Sequence, residues 1–209
     1  MNSQIIKIVA GGGKTTTSQE YMNNNGNGIY LAYTKSVVVC GDSDLDEFFH
    51  EDAFLQAGQL LCKNYCFTSD ENPNEVVCAF TLANDSIKKI PGSRKKKVEG
   101  AIPREKHYAS YPAVMIGRLG VSQSMQGKNL GTDVLDFIKA WLVDPMNKTG
   151  CRFVLVDSYN QEKNFKFYER NGFKFLFSSE EQEREFRDLK PDRPLNTRLM
   201  YFDLIELLN

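Results

Sequence analysis

A loop at residues 126–131 has the residue types of an anion-binding turn. It follows an apolar strand pattern at residues 113–121 and precedes an amphipathic helix pattern. At such a junction, unpaired N–H groups of the loop and of the first helical turn point to one place. Gly127, Asn129 and Gly131 tolerate a positive φ and let a ligand approach the backbone. The pattern indicates a phosphate site, with a plain strand-to-helix turn as the alternative.

A phenol at Tyr168 could give a proton to a leaving group. A tyrosine has a pKa of about 10, so it is protonated at neutral pH and can act as a general acid. The residue lies in the segment Phe167-Tyr168-Glu169-Arg170-Asn171-Gly172-Phe173. On spacing alone, a core aromatic beside Phe167 is the simpler interpretation.

Together these two segments resemble the GNAT acetyltransferase family. Arg118-Leu119-Gly120-Val121, a four-residue turn and Gln126-Gly127-Lys128-Asn129-Leu130-Gly131 resemble its acetyl-CoA pyrophosphate loop, Q/R-x-x-G-x-G/A, with Asn129 replacing the first glycine. About 40 residues later, Asn160 and the segment around Tyr168 resemble the family pattern N…F-Y-x-x-x-G-F. Here Asn160 lies one residue farther from the tyrosine than is usual. Two motifs in this order are more specific than either alone.

A narrower resemblance concerns the GNAT-type toxins of toxin–antitoxin pairs. Cys40-Gly41-Asp42-Ser43-Asp44-Leu45-Asp46-Glu47-Phe48 is similar to their CG-x-x-x-L-x-x-F opening, and residues 116–131 are similar to I/L-G-R-L-x-V-x-x-S-x-Q-G-x-x-L-G. Those toxins acetylate the α-amino group of aminoacyl-tRNA. The likeness covers about residues 36–205. It implies aminoacyl-tRNA as the acceptor, a cognate antitoxin as a partner, and a homodimer.

The resemblance also implies roles for individual residues. Backbone N–H groups near Gly120 and Val121 would polarise the thioester carbonyl, and Tyr168 would protonate the leaving sulfur. The residues implied to contact acetyl-CoA are Leu119, Gly120, Val121, Gln126, Gly127, Lys128, Asn129, Leu130, Gly131, Asn160 and Asn164.

A general base is not evident in the sequence. The strand pattern at residues 113–121 contains no Asp or Glu, although some GNAT enzymes place one there. A lysine amine, with a pKa of about 10.4, must be deprotonated before attack, whereas an α-amine near 7.7–8.0 is already partly neutral. The missing carboxylate favours an α-amine acceptor, though water could relay a proton to a distant group. His107 is a candidate base, and a solvated loop histidine is the alternative.

A basic run at residues 88–97 has six lysines and arginines in ten positions. If the acceptor is tRNA, Lys95, Lys96 and Lys97 could contact its phosphates. Arg118 is a second candidate for a phosphate or cofactor contact. The alternatives are a solvated loop and an ordinary strand arginine paired with a surface acid.

Three functions remain open at this stage. The first is acetylation of aminoacyl-tRNA, and the second is acetylation of a small amine or a protein N-terminus. The third is a nucleotide-binding module with an inactive acetyltransferase domain, because residues 5–17 look like a strand entering a Walker A loop. That loop is too short for G-x-x-x-x-G-K-[ST], since Ile8 stands where the first glycine should be. Residues 3–38 weakly resemble the N-terminus of a superfamily 1 helicase.

The surrounding elements predict an α/β fold, because strand and helix patterns alternate from residue 113 onward with further strands outside that run. The GNAT resemblance implies a mixed twisted sheet with flanking helices and a cofactor cleft between two splayed parallel strands, about 113–121 and 152–157. We expect an extension at residues 1–38, which could supply the first strand of the sheet, and the acetyltransferase domain at 39–209. Residues 29–40 and 173–177 read as strands, and residues 178–193 as a charged loop or surface helix.

Composition sets the outer limits. The 209 residues are 41% hydrophobic and 25% charged with a formal net charge of -1, which excludes a disordered chain and a protein that coats nucleic acid through its total charge. No apolar run reaches the ~20 residues of a membrane span, and no signal-peptide pattern is present, so we expect a cytoplasmic protein. The five cysteines indicate free thiols and no metal site, although Cys62 and Cys66 could share a helix face.

Overall fold

The computed structural model describes residues 7–11, 20–22, 28–30, 38–69, 72, 75–88 and 110–208. The strands are β1 Lys7–Gly11, β2 Glu20–Met22, β3 Gly28–Tyr30, β4 Lys63–Thr68, β5 Val76–Ile87, β6 Tyr111–Val121, β7 Phe153–Tyr159, β8 Lys174–Phe175 and β9 Thr197–Asp203. The α-helices are α1 Ser43–Glu47, α2 Ala53–Gly58, α3 Leu130–Val143, α4 Glu162–Arg170 and α5 Glu180–Phe186. A π-helical turn, Phe48–Asp52, joins α1 to α2, and short 3-10 turns span Gln123–Met125 and Leu204–Leu207.

The chain forms two compact units, residues 1–83 with 116–134 and residues 84–115 with 135–209. In the first unit the strand order is β2-β3-β1-β4-β5-β6. The pair β1–β3 is parallel, whereas β1–β4, β2–β3 and β4–β5 are antiparallel. The sheet is therefore mixed, as predicted.

Strand β4 is an element that the sequence reading missed. Its residues 64–68 pair with β1, and its residues 63–68 pair with β5. Of its six residues only Tyr65, Phe67 and Thr68 are buried. Because the strand begins with the polar residues Lys63 and Asn64, its sequence does not show the alternation of apolar and polar residues that predicts a strand. The expectation that Cys62 and Cys66 share a helix face is wrong, since Cys66 lies within this strand.

The helical segment of the first unit, residues 43–58, begins with a side-chain cap. The Asp42 side chain caps α1 by accepting the backbone N–H groups of Asp44 and Leu45, at 3.1 and 3.2 Å. Beneath the segment, Phe49 and Cys66 pack against a small buried cluster. The cluster consists of Val38, Val76 and Ala79. The segment is thereby attached to the sheet beside β5.

In the second unit the order is β6-β7-β9-β8, and β9 pairs antiparallel with both β7 and β8. The alternating burial of β9 and the continuous apolar run of β7 supply much of one core. Its buried members are Ile87, Tyr111, Ala113, Phe153, Leu155, Leu176 and Phe177. Helix α4 ends at Asn171-Gly172, where Gly172 has a φ of 82°.

Helix α5 confirms the surface-helix alternative for residues 178–193, but one of its acidic residues is buried. Ser179 caps its first turn through the Gln182 N–H at 3.4 Å. Glu183 in its middle is fully buried, where it accepts the Arg198 Nε–H and the Leu199 backbone N–H, each at 2.7 Å. The helix is therefore attached to β9 by a buried ion pair.

Other boundaries also differ from the sequence reading. A strand is expected at residues 29–40. Residues 29 and 30 belong to β3, residues 38–40 form no strand, and the residues between them lie outside the described part of the chain. The strand expected at residues 173–177 is confined to Lys174–Phe175. Strand β1 ends at Gly11, and the rest of the Walker-like loop lies outside the described residues. The boundary at residues 38 and 39 stays a prediction.

Candidate functional site

Loop 126–131 follows the 3-10 turn at the end of β6 and leads into α3. Gly127 and Asn129 have φ values of 76° and 65°, so two of the three residues predicted to tolerate positive φ adopt it, whereas Gly131 lies within α3. A Cβ added at Gly127 would have no neighbour within 4 Å, which leaves the backbone open to a ligand. The N–H groups of Gly127 and Asn129 make no hydrogen bond to any described residue.

Helix α3 begins directly after this loop. The carbonyl of Asn129 accepts the N–H groups of Thr132 and Asp133, at 3.0 and 3.2 Å. The N–H groups of Leu130 and Gly131 therefore belong to the first turn, whose donors have no partner within a helix. Together with the loop amides they form a set of backbone donors suited to a pyrophosphate. The loop fits the phosphate part of acetyl-CoA.

Gln126 anchors the start of the loop. Its Nε2 donates to the carbonyls of Cys40 and Val121, at 2.7 and 3.1 Å. A further bond runs from the Gln123 N–H to the Val39 carbonyl at 2.9 Å. These hydrogen bonds connect the start of the loop to the end of β6 and to the segment that precedes α1.

The predicted acetyl-binding residues Leu119, Gly120 and Val121 lie at the end of β6. Gly120 is buried, and a Cβ there would lie 3.0 Å from the Phe49 ring and 3.4 Å from the Cys40 sulfur. The first helical segment therefore packs directly on the backbone of β6 at this point. This close contact was not evident from the sequence, because nothing in the CG-x-x-x-L-x-x-F pattern names its partner strand.

A thiol and a carboxylate pair beside that strand. The Cys40 thiol donates to Asp46 Oδ1 at 2.9 Å, and the backbone N–H groups of Cys40 and Gly41 donate to the same carboxylate, at 2.7 and 3.2 Å. Burial, and then the bond to Asp46, raise the pKa of Cys40 to about 11. The hydrogen bond from that thiol lowers the pKa of Asp46. Asp46 is thereby held as a carboxylate.

Arg118 points from β6 toward α1. Its guanidinium lies 5.0 Å from the centre of the Phe48 ring, 3.9 Å from Asp44 Oδ2, and donates from Nη1 to its neighbour's carbonyl, Gly117 O, at 3.0 Å. The side chain is 40% exposed. The structure is therefore compatible with both interpretations of Arg118. It is paired with a surface acid, as an ordinary strand arginine would be, and it is exposed enough to contact a phosphate or the cofactor.

Tyr168 lies in the second unit, on α4. Its ring packs edge-on against Phe167 and Phe173, with centroids 5.1 and 5.5 Å apart. Burial raises the pKa of Tyr168 to about 12, so its proton is held throughout the neutral range. The hydroxyl has no hydrogen-bond partner among the described residues. The residue therefore combines aromatic packing with a hydroxyl proton that no described residue accepts.

Asn160 and Asn164 also belong to the second unit. The Asn160 amide donates to Glu180 Oε1 and to the Leu195 carbonyl, at 3.1 and 2.8 Å, which joins the end of β7 to α5. Asn164 lies half-buried in the first turn of α4, with its N–H bonded to the Gln161 carbonyl at 3.0 Å. Cofactor contact by either side chain stays a prediction.

Four of the predicted site residues fall in a part of the chain that is not described. Lys95, Lys96, Lys97 and His107 lie outside the described residues. Lys128 is exposed on the loop, and its Nζ lies 3.7 Å from the Met125 sulfur. Among the described residues no group of three or more His, Cys, Asp or Glu could hold a metal ion, and no helix is long and apolar enough to cross a membrane.

Comparison with known proteins identifies the family. Residues 45–173 match the family model of the acetyltransferase (GNAT) family, which is more than half of the chain. A tyrosine-to-phenylalanine mutant of KacT is similar in structure, with a TM-score of 0.62, 20% identity, and coverage of 85% of this chain and 92% of that one. AtaT complexed with acetyl-methionyl-tRNAfMet has a TM-score of 0.61 and 21% identity, covering 82% of this chain and 89% of that one.

A third similar structure is a tyrosine-to-phenylalanine mutant of the AtaT toxin bound to the C-terminus of the antitoxin AtaR. Its TM-score is 0.53 at 19% identity, with 82% of this chain and 85% of that one covered. The chain belongs to the GNAT acetyltransferase family and is an acetyl-CoA-dependent N-acetyltransferase. The predicted family and fold class are confirmed. The helicase resemblance of residues 3–38 has no support in these comparisons.

Proposed function

We propose that this chain transfers an acetyl group to the α-amine of aminoacyl-tRNA in the cytoplasm, as the toxin of a toxin–antitoxin pair. The observation that carries the proposal is the state of the carboxylates beside β6. Asp44 is ion-paired with Arg118, and Asp46 accepts three hydrogen bonds that stabilise its charged form. A carboxylate that three hydrogen bonds hold in its charged form, as they hold Asp46, is a weak base, so the acceptor should arrive already partly neutral, as an α-amine does.

Binding of acetyl-CoA is assigned to the first unit. The backbone donors of residues 126–131 would hold its pyrophosphate, with Lys128 exposed nearby. When bound, it supplies an activated acetyl group as a thioester. The N–H groups of Gly120 and Val121 would orient the carbonyl and stabilise the charge that develops on its oxygen. The burial of Gly120 against Phe49 supports this assignment, since buried donors act in a low dielectric.

Proton donation is assigned to Tyr168. A general acid must carry its proton at the working pH, and a pKa of about 12 meets that condition. Its hydroxyl has no competing acceptor among the described residues. The structures of KacT and AtaT that resemble this chain carry tyrosine-to-phenylalanine substitutions, which supports a functional role for a tyrosine hydroxyl in this fold.

The RNA and protein partners complete the proposal. The AtaT complex with acetyl-methionyl-tRNAfMet supports aminoacyl-tRNA as the acceptor, and the AtaT complex with AtaR supports an antitoxin as partner. Phosphate contacts are assigned to Lys95, Lys96, Lys97 and Arg118. A homodimer is part of the same proposal.

A second candidate acceptor is a small cationic amine or a protein N-terminus. The observation that favours it is the charge of the helical segment packed on β6. Between Asp42 and Asp52 this segment carries six acidic residues and no lysine or arginine. Such a surface attracts a cation and repels an RNA backbone.

The test is transfer of labelled acetyl from acetyl-CoA into charged tRNA, followed in the RNA fraction. Tyr168→Phe should lower the rate by about 100-fold or more, because it removes the proton donor and keeps the ring packing. Tyr201→Phe is the matched control, since it also removes a hydroxyl from a half-buried tyrosine of the second unit. Label confined to small amines or protein would overturn the tRNA proposal, and an unchanged Tyr168→Phe rate would overturn the acid assignment.

A further inference from the structure

The peptide group between Gly117 and Arg118 is held by side chains at both of its polar atoms. The Arg118 N–H donates to the Thr81 hydroxyl oxygen across from β6 to β5, at 3.0 Å. The Gly117 carbonyl accepts from Arg118 Nη1, also at 3.0 Å. Because both atoms of this peptide are engaged, its plane cannot rotate without losing a hydrogen bond.

The Thr81 hydroxyl lies unusually close to the backbone of β6. Thr81 is buried, and a Cβ added at Gly117 would lie 2.9 Å from its Oγ1. The hydroxyl therefore fills the space that a side chain at residue 117 would occupy. Glycine at this position and threonine at residue 81 are therefore sterically complementary, which is consistent with the hydrogen bond.

The strand is held again four residues later. The Ser122 N–H donates to the Val77 carbonyl of β5 at 2.9 Å. Between these two attachments lie Leu119, Gly120 and Val121, the residues to which the proposed function assigns the acetyl carbonyl. A short stretch of a strand that is held at both ends has little freedom to redirect its N–H groups. Hydrogen-bond donors to a reacting carbonyl act only when they are correctly placed.

We infer that Thr81 is a positioning residue for acetyl transfer, which orients the carbonyl-binding N–H groups of β6 through its hydrogen bond to the Arg118 N–H. The inference rests on the proposed role of Gly120 and Val121. Thr81 itself touches the backbone of β6 and no reacting atom. Its effect should therefore fall on the rate of the chemical step and not on retention of the cofactor's phosphates, which loop 126–131 would hold.

The test compares Thr81→Val, which keeps the shape and removes the acceptor oxygen, with Thr81→Ser, which keeps the oxygen. Thr81→Val should lower kcat roughly 10- to 100-fold and leave KM for acetyl-CoA within about twofold. Thr81→Ser should restore kcat to within about threefold of the wild type. Thr68→Val is the matched control, because Thr68 is a buried strand threonine of the same unit that lies on β4.

Release of CoA is measured with charged tRNA and, separately, with water as the only acceptor. If the wild type releases CoA without acetylating RNA, the proposed acceptor is contradicted. The Thr81 variants can then still be compared by the rate at which they release CoA with water as the acceptor. If Thr81→Val fails to fold, Gly117→Ala replaces it, since the added methyl displaces the same hydroxyl and should produce the same loss of kcat. Wild-type kcat in the folded variant, or equal losses in Thr81→Val and Thr68→Val, would overturn the inference.

Discussion

The two units of this chain place polar groups in the interior in different ways. The first unit works mainly with backbone: positive-φ residues open loop 126–131, and Gln126 and Thr81 bond to main-chain atoms. The second unit uses charged side chains, with Glu183 buried between arginines and the backbone of β9. Backbone donors carry no net charge and cost little when a ligand leaves, whereas a buried carboxylate is tolerable only while its partners are present. The first arrangement suits a ligand site, and the second suits a permanent connection.

The largest effect expected from this contrast is on the second unit. Glu183→Ala removes a fully buried carboxylate and leaves Arg198, itself buried, without its partner. Breaking one side of such a pair should lower the free energy of unfolding by about 3–5 kcal/mol. Glu185→Ala on the exposed face of the same helix should change it by less than about 0.5 kcal/mol.

Urea denaturation of both variants measures this difference. If Glu183→Ala were as stable as Glu185→Ala, the buried pair would contribute no more than a surface ion pair. The contrast between the two units would then lose its energetic basis. CoA affinity of the folded fraction should remain near the wild-type value, because the backbone donors assigned to the cofactor lie in the other unit.

A smaller effect is expected from loop 126–131, and it should fall mainly on the affinity for CoA. Gly127→Val places a branched side chain at a φ of 76°, where it is strained, and at the point where the backbone is open. The Kd for CoA should rise roughly tenfold, equivalent to about 1.4 kcal/mol. Gly150→Val is the control, because that glycine also has open space but no positive φ.

Isothermal titration with CoA, beside thermal unfolding, separates the two quantities. We expect weaker CoA binding and a modestly lower Tm for Gly127→Val, because a branched residue is strained at its positive φ, and wild-type binding for Gly150→Val. Unchanged CoA affinity in Gly127→Val would mean that the loop does not hold the pyrophosphate, and the site would have to be sought elsewhere on the chain.

The same contrast explains what sequence reasoning could and could not reach. The loop and Tyr168 belong to local motifs, so residue type and spacing sufficed to predict the positive φ at Gly127 and Asn129. Glu183 reads as one acid among several on a polar helix, because its partner Arg198 lies 15 residues away and no local pattern joins them. Strand β4 was missed for a related reason, since its burial depends on β1 and β5 and not on its own alternation.

The smallest expected effect concerns pH and the thiol beside the site. The Cys40 pKa is about 11 in the folded chain against about 9.0 for a free thiol. The folded state therefore keeps this proton at a pH where the unfolded chain has lost it, and the stability gained is complete below about pH 9 and disappears between about pH 9 and 11. At pH 10 the loss attributable to this thiol should be on the order of 1 kcal/mol.

Cys40→Ser isolates that contribution, because a serine hydroxyl can donate to Asp46 in place of the thiol and does not ionise in this range. Between pH 8 and pH 10 the free energy of unfolding should therefore fall less steeply in Cys40→Ser than in the wild type. Tyr65 and Tyr168, whose pKa values are also raised to about 12, contribute equally to both proteins and cancel in the difference. Parallel pH profiles would show that the thiol is not protonated more firmly in the folded state. The hydrogen bond from Cys40 to Asp46 would then not explain why that carboxylate is a poor base, and Asp46 would become a candidate for deprotonating the acceptor.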